Sequence, residues 1–365
     1  MDLHARIPSV ADGGISIARL TESSDVGDHE ILLVRSDSRL RIASTPEITL
    51  PETLSYLRAG DIVRIDQVSG HIHVIYRRDS PHNVLFFTER CNSRCLMCSQ
   101  PPCDVDDGYL IDDILEAIPL MSRNTPELCI TGGEPTLLGN RLLEVIAAAK
   151  RHLPYTSLHM LSNGRLFRYA ALARDVADIG HPNFMIGVPL YSDVASRHDF
   201  VVQAKGAFDE TIRGIMNLAR FEQRIEIRFV IHQQTFSRLA NTARFIARNL
   251  PFVDQVALMG LEMTGFAKSN LEALWIDPVD YKNELQEAVE ELRNARIPVM
   301  IYNHQLCLLD KTLWPIARRS ISDWKNIYMP ECTPCGMKDQ CGGFFSSAPL
   351  RYSKHIIPFQ EAVSA

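Results

Sequence analysis

Residues 84–98 read VLFFTERCNSRCLMC, and residues 128–136 read LCITGGEPT. Each is a short apolar run that ends in a polar turn, which is how a strand buried in a parallel sheet meets the loop after it. The first turn places Cys91, Cys95 and Cys98 in CxxxCxxC spacing. In α/β folds the loops at the C-terminal ends of parallel strands carry the chemistry, so these thiols fall where a functional site belongs.

Working outward, similar runs recur at 157–161 (SLHML), 184–188 (FMIGV), 225–231 (IEIRFVI) and 255–260 (QVALMG). Between and after them, Phe208, Ile212, Ile215 and Leu218, then Tyr281, Leu285, Val289 and Leu292, follow helical spacing. Strands alternating with helices form βαβ units and a parallel sheet, so the pattern predicts an α/β core: a partial (β/α)6 barrel. Upstream, ISIARL, EILLVRS, GDIVRID and HIHVIYRR are strand-like, with QVSG (67–70) as a hairpin turn. Downstream of about residue 303 lies a cysteine-containing tail with Gly and Pro. The expected domains are a β-rich N-terminal domain (1–80), the barrel core (81–300) and a small metal-binding extension (301–365).

The chain has 365 residues, 46% hydrophobic and 22% charged, the balance of a folded globular protein with room for a sizeable core. A net charge of -6 argues against a general nucleic-acid or anionic-membrane surface. No apolar run reaches the ~18–20 residues needed to cross a bilayer, and MDLHARIPSVADGG lacks the regions of a signal peptide. A cytoplasmic protein is expected. Most of the nine cysteines fall into a central and a late group, which in a reducing compartment points to metal rather than disulfides.

Three cysteines in one loop leave one metal position open, whereas zinc takes four N or S ligands from the protein at closed sites. The spacing therefore favours an iron-sulfur cluster over zinc. The tail sequence MPECTPCGMKDQCGGFF supplies Cys332, Cys335 and Cys341, with Cys307 nearby as a fourth thiol. A closed set of four thiols suits an iron-sulfur cluster or zinc. Cys129, inside an apolar strand, reads as core packing. In IEIRFVIH, Arg228 shares a face with Glu226, so its charge needs either an internal partner or an anionic ligand. His198 and Asp199 read as loop anchors.

TERCNSRCLMC after one strand and ITGGEPT after the next resemble the radical S-adenosylmethionine (SAM) superfamily. The resemblance implies a [4Fe-4S] cluster on Cys91, Cys95 and Cys98 whose unique iron is chelated by SAM. Reductive cleavage of SAM would then yield a 5'-deoxyadenosyl radical that abstracts hydrogen from substrate. It also implies SAM contacts at Gly132, Gly133, Glu134 and Pro135, at Ser162 and Asn163 in LSNG, at Tyr191 and Ser192, at Arg228, and at Gly260 beside the adenine. The CxxCx5C tail resembles SPASM and twitch extensions, which implies a second cluster on Cys307, Cys332, Cys335 and Cys341. Zinc is the alternative there.

Most of the chain resembles the His-Xaa-Ser system radical SAM maturase, C component. That likeness implies a peptide substrate with His-Xaa-Ser repeats, a partner radical SAM protein and an electron donor. The N-terminal domain would bind a leader peptide by strand addition or serve as a structural cap. Two other classes stay open: a radical SAM enzyme acting on a small molecule or nucleic acid, and a non-enzymatic iron-sulfur electron carrier or sensor.

Overall fold

The computed structural model describes residues 3–6, 15–23, 29–34, 39–41, 48–319 and 326–360. The chain folds as two compact units, one of residues 1–88, 106–160 and 178–184, the other of residues 89–105, 161–177 and 185–365.

The first unit opens with seven strands: β1 (His4–Arg6), β2 (Ile15–Thr21), β3 (Glu30–Val34), β4 (Arg39–Arg41), β5 (Ile48–Thr49), β6 (Ile62–Asp66) and β7 (His71–Tyr76). They form one sheet in the order β1-β7-β6-β2-β3-β4-β5. The four expected strands are present, although Arg35 and Ser36 at the end of the second lie outside the described residues. The hairpin at 67–70 joins β6 to antiparallel β7. Its turn is closed by Asp66 Oδ1 accepting from the Ser69 amide at 2.9 Å, and Gly70 supplies a φ of 68°. Alternation along β6 and β7 sends Val63, Ile65 and Ile72 into a core shared with Leu20, Leu33 and Leu54.

The same unit contains β8 (Asn83–Phe86), α1 (Tyr109–Ala117), β9 (Glu127–Thr131), α2 (Asn140–His152) and β10 (Ser157–Leu161), and β8, β9 and β10 pair in parallel. Arg64 on β6 reaches Asp113 on α1 at 2.9 Å. The Tyr76 hydroxyl meets the Thr125 hydroxyl at 2.8 Å. The β-rich sheet therefore bonds to α1 and to the segment before β9 within one compact unit.

The second unit contains α3 (Ala170–Ile179, its last two residues belonging to the first unit), β11 (Phe184–Pro189), α4 (Ala195–Val202), α5 (Ala207–Arg220), β12 (Arg224–Ile231), α6 (Leu239–Asn249), β13 (Gln255–Gly260), α7 (Gly265–Ser269), α8 (Leu271–Leu274), α9 (Lys282–Asn294), β14 (Val299–Tyr302) and β15 (Ala317–Arg318). Strands β11 to β15 are parallel in sequence order. The parallel sheet runs β15-β14-β13-β12-β11-β10-β9-β8, a curled partial barrel.

The six core strands expected from sequence are β8 to β13, and β10 and β13 match to the residue. Strands β14 and β15 extend the sheet beyond six. β14 was hidden because its four residues follow a proline and show no period of their own, and two-residue β15 is strand only by pairing with β14. On α9, Leu285, Val289 and Leu292 are buried as their spacing requires. On α5 the buried stripe is Ala207, Thr211, Gly214, Ile215 and Leu218, one step away from Phe208 and Ile212, which are half-buried. The helix rotates because Gly214 lets its backbone press against the turn at Gly164, as detailed below.

Candidate functional site

The loop after β8 has almost no regular structure, so its shape must come from bonds to other segments. Three segments of the second unit hold it. The amides of Arg94 and Leu96 donate to the carbonyls of Val202 and Val201 at the end of α4, at 3.1 and 2.9 Å. Asn270 Nδ2 donates to the Leu96 carbonyl at 2.9 Å, and the Phe266 amide donates to the Cys98 carbonyl at 2.8 Å. Gly265, with φ of 54°, sits against the carbonyls of Cys98 and Ser99. The third segment is the turn after β10. There Asn163 Nδ2 lies 2.5 Å from Asn92 Oδ1 and 3.9 Å from Cys91 Sγ, while the Arg165 guanidinium donates to the Asn92 carbonyl and to Ser93 Oγ.

The loop so held brings its thiols together. Burial, and after it the neighbouring Cys98 and Cys91, push the Cys95 thiol up to about 12 against the opposing Arg165 charge. Cys98 is raised as well, mainly by burial. Thiols that burial and mutual repulsion keep protonated are stabilised as thiolates by a cationic metal centre, which releases their protons on binding. The donor set therefore fits an iron-sulfur cluster.

Ser162 Oγ and Asn163 Oδ1 accept the amides of Gly164 and Arg165 at 3.1 and 3.0 Å, shaping the turn. Tyr191 stacks on His198 at 5.9 Å and meets Phe229 edge-on at 6.4 Å. Burial raises its phenol, with the Cys95 charge adding and Arg228 opposing. The phenol thus belongs to the neighbourhood of both Cys95 and Arg228. Ser192 is buried and accepts the Val194 amide at 3.1 Å. Arg228 pairs with the buried Glu226 carboxylate at 2.6 Å and reaches Met259 Sδ at 3.2 Å, while Gln255 donates to the other Glu226 oxygen. His198 Nδ1 accepts the Tyr191 amide, and Asp199 accepts the amides of Gly206 and Phe208 at the start of α5. Both anchor loops.

In the first unit, the turn after β9 is held by its own contacts. Gly132 has φ of 145°, and a Cβ there would lie 2.6 Å from the Thr88 carbonyl oxygen. The Gly133 amide donates to that same oxygen at 2.6 Å. Glu134 is fully buried, its Oε1 accepting from the amide and hydroxyl of Thr136, and Pro135 opens the short helical turn that follows.

Elsewhere in the second unit, Cys307, Cys332, Cys335 and Cys341 line one small cavity together with Tyr328, Met337 and Ile356 to Phe359. Burial raises Cys307 to about 11, with Cys341 and Cys332 adding to it. The four thiols therefore share one cavity. Among the described residues no three His, Cys, Asp or Glu side chains are arranged to hold a single metal ion. Cys129 is buried in β9, and Cys103 is exposed.

A second cavity lies at the ends of β12, β13 and β14. Ile231, Gly260, Tyr281 and Asn303 line it together with Trp275, Phe344 and Tyr352. The space beside Gly260 is already taken by the Asn303 carbonyl, 2.5 Å from where a Cβ would stand. Sequence reasoning missed Trp275, Tyr281, Phe344 and Tyr352 because they come from segments whose meeting only the chain path decides. Behind the wall, Tyr281 Oη lies 2.8 Å from His304 Nε2, and burial lowers His304 to about 4.

Residues 85–246 match the family model of the Radical SAM superfamily. The chain carries a radical SAM domain. This domain implies a [4Fe-4S] cluster and SAM. Over 177 residues the chain is 27% identical to Fe-coproporphyrin III synthase of Methanosarcina barkeri, a match covering 46% of this chain and 41% of the relative. Streptococcus suis SuiB bound to S-adenosylmethionine is similar in structure, with a TM-score of 0.50 and 14% identity, covering 67% of this chain and 55% of SuiB. SuiB bound to precursor peptide SuiA gives a TM-score of 0.48 at 13% identity, covering 62% and 49%. The chain thus spans about two fifths of the curated relative and about half of SuiB. The SuiB likeness shows the radical SAM domain's fold. No described helix is long and apolar enough to cross a membrane.

Proposed function

We propose that this protein is a radical SAM enzyme that modifies a ribosomally made peptide, as a maturase of the His-Xaa-Ser system. The observation that carries the radical SAM reading is the convergence of Cys91, Cys95 and Cys98 in a loop held from three sides, inside a radical SAM domain. When bound, the cluster and SAM supply a 5'-deoxyadenosyl radical able to take a hydrogen atom from substrate.

In this reading the chain's own residues bind, orient and exclude water. Cys91, Cys95 and Cys98 hold the first cluster. Gly132 and Gly133 let the turn pack against the Thr88 backbone, which sets Glu134 and Pro135 beside SAM. Ser162, Asn163, Tyr191, Ser192 and Gly260 complete the SAM contacts, and Arg228 adds a positive charge whose partner in the chain is Glu226. The buried aromatic surface of Tyr191, His198 and Phe229 keeps water from the radical, which protects it from side reactions. Cys307, Cys332, Cys335 and Cys341 hold a second [4Fe-4S] cluster, with zinc as the alternative.

The peptide reading is supported by this second thiol set together with the likeness to the maturase family. The division into a β-rich domain (1–80), a core (81–300) and an extension (301–365), a leader peptide on the N-terminal sheet, a partner radical SAM protein, an external electron donor and a cytoplasmic setting belong to the same proposal. The identity to Fe-coproporphyrin III synthase favours a second reading, a tetrapyrrole substrate.

Anaerobic reconstitution tests the first step. Wild type should bind two clusters' iron, and the variant Cys91→Ala/Cys95→Ala/Cys98→Ala should lose about four irons and keep the rest. Reduced enzyme, SAM and the His-Xaa-Ser peptide should then give 5'-deoxyadenosine and a mass change in the peptide. 5'-Deoxyadenosine with the peptide mass unchanged would sink the peptide reading, and no 5'-deoxyadenosine at all would sink the enzyme.

A further inference from the structure

Arg165 plays no part in the reading above, yet it ties the cysteine loop to the body of the second unit. It is largely buried, with 13% of its side chain exposed. One arm of the guanidinium donates to the Asn92 carbonyl and to Ser93 Oγ at 3.1 Å, the two residues that follow Cys91. Its Nε donates to Glu210 Oε2 at 2.7 Å, and Arg168 binds the other oxygen of the same carboxylate. Two residues upstream, Asn163 directs an amide hydrogen toward Cys91 Sγ at 3.9 Å. The turn carrying Asn163 and Arg165 is fixed in turn by Thr211 Oγ1, which donates to the Asn163 carbonyl at 3.2 Å.

Charge and geometry here point the same way. A largely buried guanidinium acts through a dielectric well below that of water, so its field reaches the neighbouring sulfurs. One-electron reduction adds one negative charge to a cluster, and cluster potentials follow net charge, hydrogen bonds to sulfur and exposure. Glu210 works against it, since a carboxylate beside the guanidinium cancels part of the field.

We infer that Arg165 is a positioning residue of the first cluster, holding the Asn92–Ser93 segment between two of its cysteines and raising its reduction potential by its charge, with Glu210 as the opposing group. The inference rests on the proposal that Cys91, Cys95 and Cys98 carry that cluster.

The test is an EPR-monitored redox titration of reconstituted holoenzyme, following the cluster signal that changes when SAM is added. Arg165→Gln should lower the midpoint potential, Glu210→Gln should raise it, and Arg165→Lys, which keeps the charge, should remain near wild type. A purely structural role would move the first two variants in the same direction. Shifts of equal sign, two variants that load iron normally at the wild-type potential, or a Lys variant displaced as far as the Gln variant would each overturn the inference. If Arg165→Gln fails to fold by circular dichroism or to load iron, Glu210→Gln decides alone: a rise supports the charge role, and a fall or no change refutes it. A wild type without a SAM-responsive signal would instead defeat the underlying cluster reading.

Discussion

Substituting Gly214 by alanine sets two opposing effects against each other. Gly214 lies in the interior of α5, where replacing glycine by alanine ordinarily stabilises a helix by about 1 kcal/mol. Here the added Cβ would stand 2.1 Å from the Gly164 carbonyl oxygen, 3.2 Å from its carbon and 3.2 Å from Phe167 Cβ. The obstructing group is backbone on a turn that cannot rotate away. Gly164 itself has φ of 77°, and Val188 packs tightly beside it. Relief demands a separation of α5 from the turn by more than an ångström, and overpacking of this kind costs roughly 3 kcal/mol, the upper part of its usual range. The expected net effect is a loss of about 2 kcal/mol.

Urea titration of the cofactor-free protein should read this loss as a lower midpoint with an unchanged slope. Gly206→Ala provides the comparison, since its Cβ would meet nothing within 4 Å and only its φ of 79° opposes the change. That variant should lose about 1 kcal/mol. A Gly214→Ala protein as stable as wild type, or more so, would refute the close packing of α5 on the turn and with it the route by which Arg165 is placed.

Three further outcomes follow from the buried polar groups. His232 is fully buried, its Nδ1 accepts the Gln234 amide at 3.2 Å, and burial lowers its pKa from 6.5 to about 3. Below pH 6.5 the unfolded chain takes up a proton that the folded imidazole refuses. Stability is therefore full above that pH and falls until about pH 3, and His232→Gln should remove about 2 kcal/mol of the loss between pH 7 and pH 5 in urea titrations. Arg228→Ala leaves the Glu226 carboxylate buried without its cation and should cost about 3 kcal/mol at pH 7. A loss below about 1 kcal/mol in urea titrations would contradict it. Tyr281→Phe strips the hydroxyl that meets His304 Nε2 at 2.8 Å and should destabilise the protein by about 1–3 kcal/mol; a neutral result would show that another donor serves that nitrogen.

Much of the core was legible because short-range rules govern it. Strands β8 to β13 are apolar runs closed by turn residues, and their order in the chain is their order in the sheet, so local pattern and topology agree. The helices were less readable where packing overrode pattern. Phe208 and Ile212 advertise one face of α5, but the glycine contact turns a neighbouring face inward. In the N-terminal sheet the expected hairpin at 67–70 formed, whereas the parallel pairing of β2 with β3 and the bond from Arg64 to Asp113 join residues that no local signal connects.

For the candidate site the division is sharper. Sequence alone determined which thiols can act together: spacing within one loop is covalent geometry, so CxxxCxxC keeps three sulfurs near each other. It also determined that the late cysteines form a separate group. Only the tertiary structure decided that Cys307 joins Cys332, Cys335 and Cys341 around one cavity, that Arg228 meets Glu226, and that Arg165 reaches across from another turn to hold Asn92 and Ser93. These are contacts between residues up to 73 positions apart. Their partners are selected by burial and by the need of each buried charge or polar group for company, and that selection is made only once the chain has packed.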